Sequence, residues 1–258
     1  MEKMKSVICA IVKNEQRFIR EWADHYLNIG FDKIYVFEDF GSDTHAPQLQ
    51  DLIESDKVIL NNLDTSKYIP KYKKGTMVQR KLYENFLKKC KKERLADWIG
   101  FFDVDEFMMF EDGWDLQRLE KEFDDERAIL LSWKLYGASG HLKRPNGNVV
   151  DNYTTHLPEG STLDGMLYYN VKSLVNANKC TGLENIHVAG GGVLTDHTRG
   201  HKLCFKCAWL NHYFSKSFED YLDRIFSRGN MNNNFRCLDK FFKVNPELMS
   251  QKYKLVME

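Results

Sequence analysis

The sequence has no apolar run long enough to cross a membrane. Its apolar start, residues 6–12, is seven residues long and is followed at once by Lys13-Asn14-Glu15, whereas a membrane-spanning helix needs about 20 residues. A signal-cleavage pattern is missing as well. We therefore expect a cytoplasmic protein without a transmembrane segment. Peripheral contact at the inner face of the membrane stays an alternative, because residues 216–243 mix aromatic and basic side chains.

An excess of charge of one sign is also missing, since 37 basic residues balance 37 acidic ones. Without a global field to attract polyanions, nucleic acid is not expected as a main partner. A second C-x-x-C motif beside Cys204 and Cys207 is lacking, and no pair of histidines follows them at zinc-finger spacing. The pair lies in residues 202–210, which alternate like a strand, so we predict two reduced structural thiols.

Segments of strand type and helix type alternate in the first half of the chain. The predicted strands are residues 7–12, 33–37, 58–60 and 98–102, and the predicted helices are residues 15–29, 47–54 and 77–94. Strands separated by helices of this length predict βαβ units and a parallel sheet. The expected fold class is α/β, with a mostly parallel, Rossmann-like sheet and helices on both faces.

The pattern changes after about residue 115, where Gly, Asn and Thr become frequent. The elements predicted there are helices at residues 116–123 and 216–226 and strands at residues 128–133 and 168–175. Internal repeats and a convincing linker are absent from the sequence. We therefore predict a single domain over residues 1–258, with a regular half to about residue 115 and an irregular second half.

Acidic side chains follow the predicted strands of the first half. Glu15 follows the first strand, Asp39 the second, and Asp103-Val104-Asp105-Glu106 the fourth. Because ligands bind at the carboxyl ends of parallel strands, we expect these groups to share one edge of the sheet. Neighbouring carboxylates repel by about 1 kcal/mol per close pair in water. Such a cluster suits Mg²⁺ or Mn²⁺, which leave coordination positions free for phosphates; a solvated acidic turn is the alternative.

Several separated motifs resemble glycosyltransferases of the GT-A fold. They are residues 11–15, Glu38-Asp39 with Gly41-Ser42-Asp43, residues 97–107, residues 133–140, and residues 210–217 with Arg228-Gly229. The chain is most similar to the bacterial group that is related to family 2 and also resembles family 92, over about residues 6–230. The resemblance implies a GT-A fold whose half to about residue 115 binds a nucleotide sugar and whose half from about residue 116 binds the acceptor.

The resemblance also implies roles for individual residues. Those implied to line the nucleotide-sugar pocket are Lys13, Asn14, Glu15, Asp39, Gln79 and Asp103. Those implied to hold a Mn²⁺ or Mg²⁺ ion on the diphosphate are Asp103, Asp105 and His212, with His187 as the second choice of histidine. A metal there would stabilise the charge that develops on the departing nucleoside diphosphate.

The acceptor base is expected in the second half. An inverting enzyme needs an unprotonated carboxylate or histidine within reach of the acceptor hydroxyl, and Glu184 is the first candidate, with Asp151 and Asp164 as alternatives. A retaining enzyme would need no such base. We interpret the basic residues within 67–81 as a solvated loop leading into a helix, and the glycine run 190–192 as a turn.

The sequence therefore predicts a metal-dependent hexosyltransferase of the inverting type. The resemblance implies a UDP- or GDP-sugar as the donor. It also implies a saccharide or a lipid-linked saccharide in surface polysaccharide or lipopolysaccharide synthesis as the acceptor. A phosphatase like the haloacid dehalogenases is one alternative, although that class carries Asp-x-Asp on its first strand rather than its fourth. A non-catalytic module that binds sugar or nucleotide is the other.

Overall fold

The protein is an α/β structure, seen in a computed structural model that describes residues 4–39, 44–63, 75–159, 161, 170–199, 203–228 and 238–251. The strands are β1 (Ser6–Val12), β2 (Lys33–Asp39), β3 (Val58–Leu63), β4 (Trp98–Gly100), β5 (Glu106–Phe110), β6 (Ala128–Leu135), β7 (Val171–Asn176), β8 (Val193–Leu194) and β9 (Ala208–His212). The helices are α1 (Ile19–Asn28), α2 (Ala46–Glu54), α3 (Gly75–Glu93), α4 (Leu116–Glu122), α5 (Val149–Asn152), α6 (Phe218–Arg228) and α7 (Leu238–Val244), and a 3-10 helix follows at Pro246–Gln251.

These strands form one sheet in the order β3-β2-β1-β4-β7-β6-β9-β5, with β8 paired to β6. The first four strands in that order are mutually parallel, and β7 runs antiparallel to β4. Farther along, β6 is parallel to β8 and β9, and β5 is antiparallel to β9. The predicted α/β class with a mostly parallel sheet is confirmed. The second half, expected to be irregular, adds four strands to the same sheet between its loops.

Helix α1 packs on one face of the sheet and holds the main chain at Glu106. Its buried residues, Ile19, Trp22, Ala23 and Tyr26, recur at the spacing of one helix face. Trp22 Nε1 and Tyr26 OH both donate hydrogen bonds to the Glu106 carbonyl, at 3.1 and 2.9 Å. The core on this face therefore positions the acidic segment that leads into β5.

Helix α3 covers the opposite face. Its buried Tyr83, Phe86 and Cys90 pack in a cluster with Cys9 of β1 and with Phe101. The Tyr83 and Phe101 rings stack with their centroids 4.5 Å apart. Helices thus lie on both faces of the parallel half, as predicted, and the first turns of α3 lie near the carboxyl end of β4.

Helices α6 and α7 form a separate apolar cluster. Phe218 and Tyr221 of α6 are buried against Phe241 and Phe242 of α7. The Phe218 and Phe241 ring centroids are 5.1 Å apart, and those of Tyr221 and Phe241 are 5.2 Å apart. The C-terminal helices therefore have a small core of their own beside the sheet.

Two strand predictions need correction. The strand predicted to run to Phe102 ends at Gly100, and the two aromatic residues that follow are buried outside the strand. The strand predicted for residues 202–210 begins only at Ala208. Cys207 has a φ of +60°, which breaks an extended chain, so Cys204 and Cys207 precede the strand. Both have free thiols.

Two other segments were singled out in the sequence. Of the basic stretch, residues 67–81, the part from 67 to 74 lies outside the described residues. The glycine run 190–192 forms the predicted turn, in which the Gly190 amide donates to the Gly182 carbonyl at 3.0 Å and Gly191 has a φ of +76°. Within the described part of the chain, no helix is long and apolar enough to cross a membrane.

Gly100 lies at the end of β4 in a position without room for a side chain. A Cβ atom there would lie 2.5 Å from Phe102 Cε2 and 2.7 Å from Ile8 Cδ1. We predict that Gly100→Ala lowers the free energy of unfolding by about 1–3 kcal/mol, because overpacking displaces both side chains. Urea unfolding measures this change. At Gly182, nothing lies within 4 Å of an added Cβ, so Gly182→Ala is the control, and equal stability of the two variants would contradict the prediction.

Candidate functional site

The acidic segment, residues 103–106, forms a tight connection between β4 and β5. The Asp103 amide donates to Glu106 Oε2 at 2.8 Å, and the Glu106 amide donates to the Asp103 carbonyl at 3.0 Å. The Tyr213 amide donates to the Asp105 carbonyl at 2.8 Å. The Asp103 side chain is 38% exposed, whereas Asp105 and Glu106 are buried. Three hydrogen bonds thus hold the segment in place, and of its three carboxylates only that of Asp103 reaches the surface.

Lys172 of β7 is a fully buried cation that pairs with this segment. Its Nζ lies 2.8 Å from Asp103 Oδ2 and 3.7 Å from Glu106 Oε2. Burial by itself lowers the pKa of Lys172, but the charges of Asp103 and Glu106 raise it overall, so the amine stays protonated. Burial also raises the pKa of Glu106 well above its usual value. Gln79 of α3 donates to Asp103 Oδ1 at 3.4 Å, so this predicted site residue lies beside the motif.

Arg224 of α6 pairs with Asp105 in the interior. Its Nη2 contacts Asp105 Oδ2 and lies 3.9 Å from Glu15 Oε1, while its Nη1 donates to the Phe214 carbonyl at 2.8 Å. His212 Nε2 lies 3.7 Å from the same oxygen of Asp105. Burial by itself raises the pKa of Asp105, yet the charge of Arg224 brings it well below the usual value. The structure thus joins three predicted residues, Glu15, Asp105 and His212, through an arginine that was not predicted.

The carboxyl ends of β1 and β2 lie side by side, as expected. Lys13 Nζ lies 3.2 Å from Asp39 Oδ2. Asn14 takes a left-handed backbone with φ of +53°, and the Glu15 amide then donates to His45 Nε2 at 2.9 Å. These predicted nucleotide-side residues therefore share one edge of the sheet with the acidic segment.

Aromatic rings from the second half of the chain pack around His212, beside Asp105. The Trp133 ring lies 4.2 Å from the His212 ring and 5.3 Å from the His187 ring, measured between centroids. Glu106 and His212 are direct partners across β5 and β9, so their side chains lie on the same face of the sheet. Burial lowers the pKa of His212, and Asp105 offsets this only in part. His212, rather than His187, is thus the histidine placed against Asp105.

The candidate acceptor bases lie in different surroundings. Glu184 is exposed and follows Leu183, whose carbonyl accepts a hydrogen bond from Arg80 Nη2 at 2.6 Å. Asp151 is exposed on the short helix α5. Asp164 lies outside the described residues. The role of Glu184 as a base therefore stays a prediction.

Lys172 and Arg224 were missed at the level of sequence, although each leaves a signal there. Lys172 lies in β7, a strand whose six residues are all buried, and a lysine in such a strand needs an anionic partner. Arg224 follows Phe218 by six residues and Tyr221 by three, which places it near their buried face of α6. A basic residue at a position where the apolar pattern predicts a buried side chain was thus the available sign of an internal ion pair.

The residues around Asp105 meet only some of the requirements of a site for a divalent cation. Among the described residues, no three His, Cys, Asp or Glu side chains form a cluster that could hold a metal ion. Asp105 Oδ2 and His212 Nε2 lie 3.7 Å apart, and an ion such as Mg²⁺ or Mn²⁺ needs only one or two protein ligands when phosphates and water supply the rest. The Asp105 oxygen that would serve is the one paired with Arg224.

Comparison with known proteins links the chain to one family. The model of glycosyltransferase family 92 matches residues 5–233. Family 92 proteins of Oryza sativa subsp. japonica and Ricinus communis are 24% and 22% identical over 229 and 232 residues. Each alignment covers 86% of this chain but only 35% and 37% of the relative, so the chain spans about a third of the length of the curated relatives it matches. Among solved structures, S. aureus TarS in complex with UDP is similar with a TM-score of 0.41 and 15% identity, covering 67% of this chain and 47% of that chain.

The buried pair of Lys172 and Asp103 generates a stability prediction. Lys172→Met leaves Asp103 and Glu106 without their cation, so we expect it to lower the free energy of unfolding by about 3–5 kcal/mol. Chemical denaturation measures the change. The control is Lys179→Met, which removes an exposed partner 3.0 Å from Asp125 and should cost less than about 1 kcal/mol. Similar losses in both variants would show that Lys172 is not an essential counter-ion.

His187 generates a pH prediction. Burial, followed by the charge of Lys172, lowers its pKa to about 3, whereas an unfolded histidine titrates near 6.5. The unfolded state therefore binds more protons between these values, and stability falls as the pH drops below about 6.5. We expect the wild type to lose about 2 kcal/mol more than His187→Asn between pH 7 and pH 5. Unfolding free energies of both proteins at the two pH values test this, and parallel losses would refute it.

Proposed function

Because the chain belongs to glycosyltransferase family 92, we propose that it transfers a sugar from a nucleoside-diphosphate donor of the UDP or GDP type to a saccharide or a lipid-linked saccharide. One observation supports this most directly. Asp39 and Glu15 at the ends of β2 and β1 share an edge of the sheet with Asp103 and Asp105 after β4. This edge is where parallel α/β sheets bind nucleotides.

In this proposal the first half of the chain binds the donor. Lys13, Asn14 and Asp39 border the nucleotide, while Gln79 and Asp103 lie beside its phosphates and sugar. The exposed face of Asp103, with the side chain 38% accessible, supports a role in contacting a ligand. Trp22 and Tyr26, which hold the Glu106 carbonyl, position this edge without needing to touch the donor.

We also propose that Asp105 and His212, with Asp103 beside them, hold a Mn²⁺ or Mg²⁺ ion together with the diphosphate. Their donor atoms are a carboxylate oxygen and an imidazole nitrogen, and both suit such an ion. Since burial lowers its pKa, His212 is neutral at neutral pH and keeps a lone pair available. When bound, the ion would neutralise charge on the departing nucleoside diphosphate.

The proposed transfer inverts the configuration at the sugar. An acceptor hydroxyl attacks the anomeric carbon, its proton passes to a carboxylate base, and the nucleoside diphosphate leaves with the electrons of the broken bond. Glu184 is the proposed base because it is exposed in the second half, next to the residue that contacts α3. An acceptor from surface polysaccharide or lipopolysaccharide synthesis, and action at the cytoplasmic side of a membrane, belong to the same proposal and rest on the sequence resemblance.

Asp105→Asn tests the donor site. We expect UDP or GDP with Mn²⁺ to raise the melting temperature of the wild type by about 5–10 °C at about 100 times Kd, because ligand stabilisation of about 2.7 kcal/mol gives about 2–4 °C per kcal/mol in a protein of this size. The variant should lose most of this increase. Asp125→Asn, at a fully exposed position, should keep it. Differential scanning fluorimetry with a panel of nucleotide sugars makes the measurement.

The same panel distinguishes the alternatives. Transfer or slow hydrolysis of one donor, with Mn²⁺ present, supports the glycosyltransferase. Hydrolysis of a phosphomonoester without stabilisation by any nucleotide would contradict the glycosyltransferase and indicate a phosphatase. Stabilisation by a nucleotide sugar without transfer or hydrolysis of any donor would replace the glycosyltransferase with the binding module.

A further inference from the structure

The carboxylates around Asp105 are already paired with the protein's own cations. Asp103 is paired with Lys172 at 2.8 Å, and Asp105 with Arg224, which also lies 3.9 Å from Glu15. Lys172 is fully buried and Arg224 is 14% exposed, so solvent screens these pairs weakly. A divalent cation arriving alone would add two positive charges beside two cations. A nucleoside diphosphate brings the negative charge that makes this addition favourable.

Arg224 competes directly with the proposed metal. Its Nη2 contacts Oδ2 of Asp105, the same oxygen that lies 3.7 Å from His212 Nε2. An ion held between Asp105 and His212 would therefore meet the guanidinium at this oxygen. Guanidinium groups bind phosphate oxygens through two parallel N–H donors. Arg224 thus has a chemically suitable new partner if it gives up Asp105 when a diphosphate enters.

The helix that carries Arg224 packs in a different apolar cluster from the core of the sheet. Phe218 and Tyr221 of α6 are buried against α7, in a cluster separate from the core beneath β5 and β9. Contacts of Arg224 with Asp105 and Glu15 therefore tie this C-terminal unit to the edge of the parallel half. A change of partner at Arg224 can occur without opening the main core.

Buried polar atoms of the two residues that adjoin Asp105 lack hydrogen-bond partners among the described residues. Within the described part of the chain, Glu106 Oε1 and His212 Nδ1 are fully buried and make no hydrogen bond. Their residues are direct partners across β5 and β9, and both adjoin Asp105: Glu106 follows it in the chain, and His212 Nε2 lies 3.7 Å from its Oδ2. Such atoms are rare in folded proteins and recur where an ion or a ligand completes the site. They support the entry of an ion or a polar ligand beside Asp105.

We propose that Arg224 is a built-in counter-ion of the donor site, which holds Asp105 in the donor-free protein and exchanges Asp105 for the diphosphate when a divalent cation enters with the nucleotide. The proposal rests on the donor site proposed above and adds its regulation. It implies that metal and nucleoside diphosphate bind with positive coupling, and that Arg224 is the source of that coupling. By linkage, each ligand must strengthen the binding of the other by the same factor.

Binding of MnCl₂ to the full chain tests this, with free Mn²⁺ measured by electron paramagnetic resonance and nucleotide binding by calorimetry. We expect the wild type to bind Mn²⁺ alone weakly and at least tenfold more tightly with saturating UDP or GDP. Arg224→Gln should bind Mn²⁺ alone at least tenfold more tightly than the wild type. Its coupling to the nucleotide should fall below threefold. Arg144→Gln removes another arginine that anchors α6, through Asp220 and Asp223, and should keep wild-type coupling.

Arg224→Lys keeps the positive charge but loses the two parallel N–H donors of the guanidinium. This variant tests the role of Arg224 in coupling if Arg224→Gln does not fold. We expect it to bind Mn²⁺ alone as weakly as the wild type and to show at least threefold less coupling. Equal affinity of wild type and Arg224→Gln for Mn²⁺ alone would overturn the role of Arg224, as would unchanged coupling in Arg224→Lys. If the wild type binds Mn²⁺ with UDP or GDP and the variants behave identically, only this inference fails. If it binds neither nucleotide under any condition, the donor site itself fails and the inference with it.

Discussion

Three carboxylates within four residues must be compensated inside this protein, and the structure around residues 103–106 depends on that compensation. Asp103 is paired with Lys172, and Asp105 with Arg224. The cations come from 69 and 119 residues farther along the chain. The first half provides the acidic edge where a nucleotide would bind, but its charge is balanced only when β7 and α6 of the second half are in place. The two halves are therefore coupled electrostatically as well as through a shared sheet.

Stability and function place different demands on this region. Burying an ion pair costs desolvation energy that the attraction between the charges roughly repays, so such pairs contribute little net stability. The stabilising contributions come from the apolar clusters of α1 and α3 on the two faces of the sheet. Trp22 and Tyr26 extend one of these clusters to the main chain at Glu106. The core thus fixes the backbone of the acidic segment and leaves its carboxylates to pair with cations.

For a member of glycosyltransferase family 92, this arrangement has a functional meaning. In the proposed donor site, the carboxylates are paired with cations before a diphosphate would enter, and one of these cations lies on a helix with its own small core. The rings of Trp133, His187 and His212, all from the second half of the chain, pack together beside Asp105. Electrostatic interactions are strengthened beside such packed rings because water is excluded. Charge pairing and exclusion of water thus act at the same place.

Local patterns predicted much of the fold and one side of the site. The alternation of strand and helix signals depends on neighbouring residues, so the parallel half and its carboxyl edge could be inferred from the sequence. The positions of Glu15, Asp39, Asp103 and Asp105 on that edge follow from the same pattern, because parallel strands end together. Gln79 and His212 entered through the family resemblance, and the structure places both against the acidic segment.

The sequence by itself thus determined the edge at which the acidic residues meet, since strand ends are set by local hydrophobic periodicity. Only the tertiary structure decided how their charges are balanced. Lys172 reaches Asp103 because β7 pairs with β4, and Arg224 reaches Asp105 because β9, which leads towards α6, pairs with β5. Such contacts depend on strand order and helix packing between distant parts of the chain, and no local pattern of side chains specifies them.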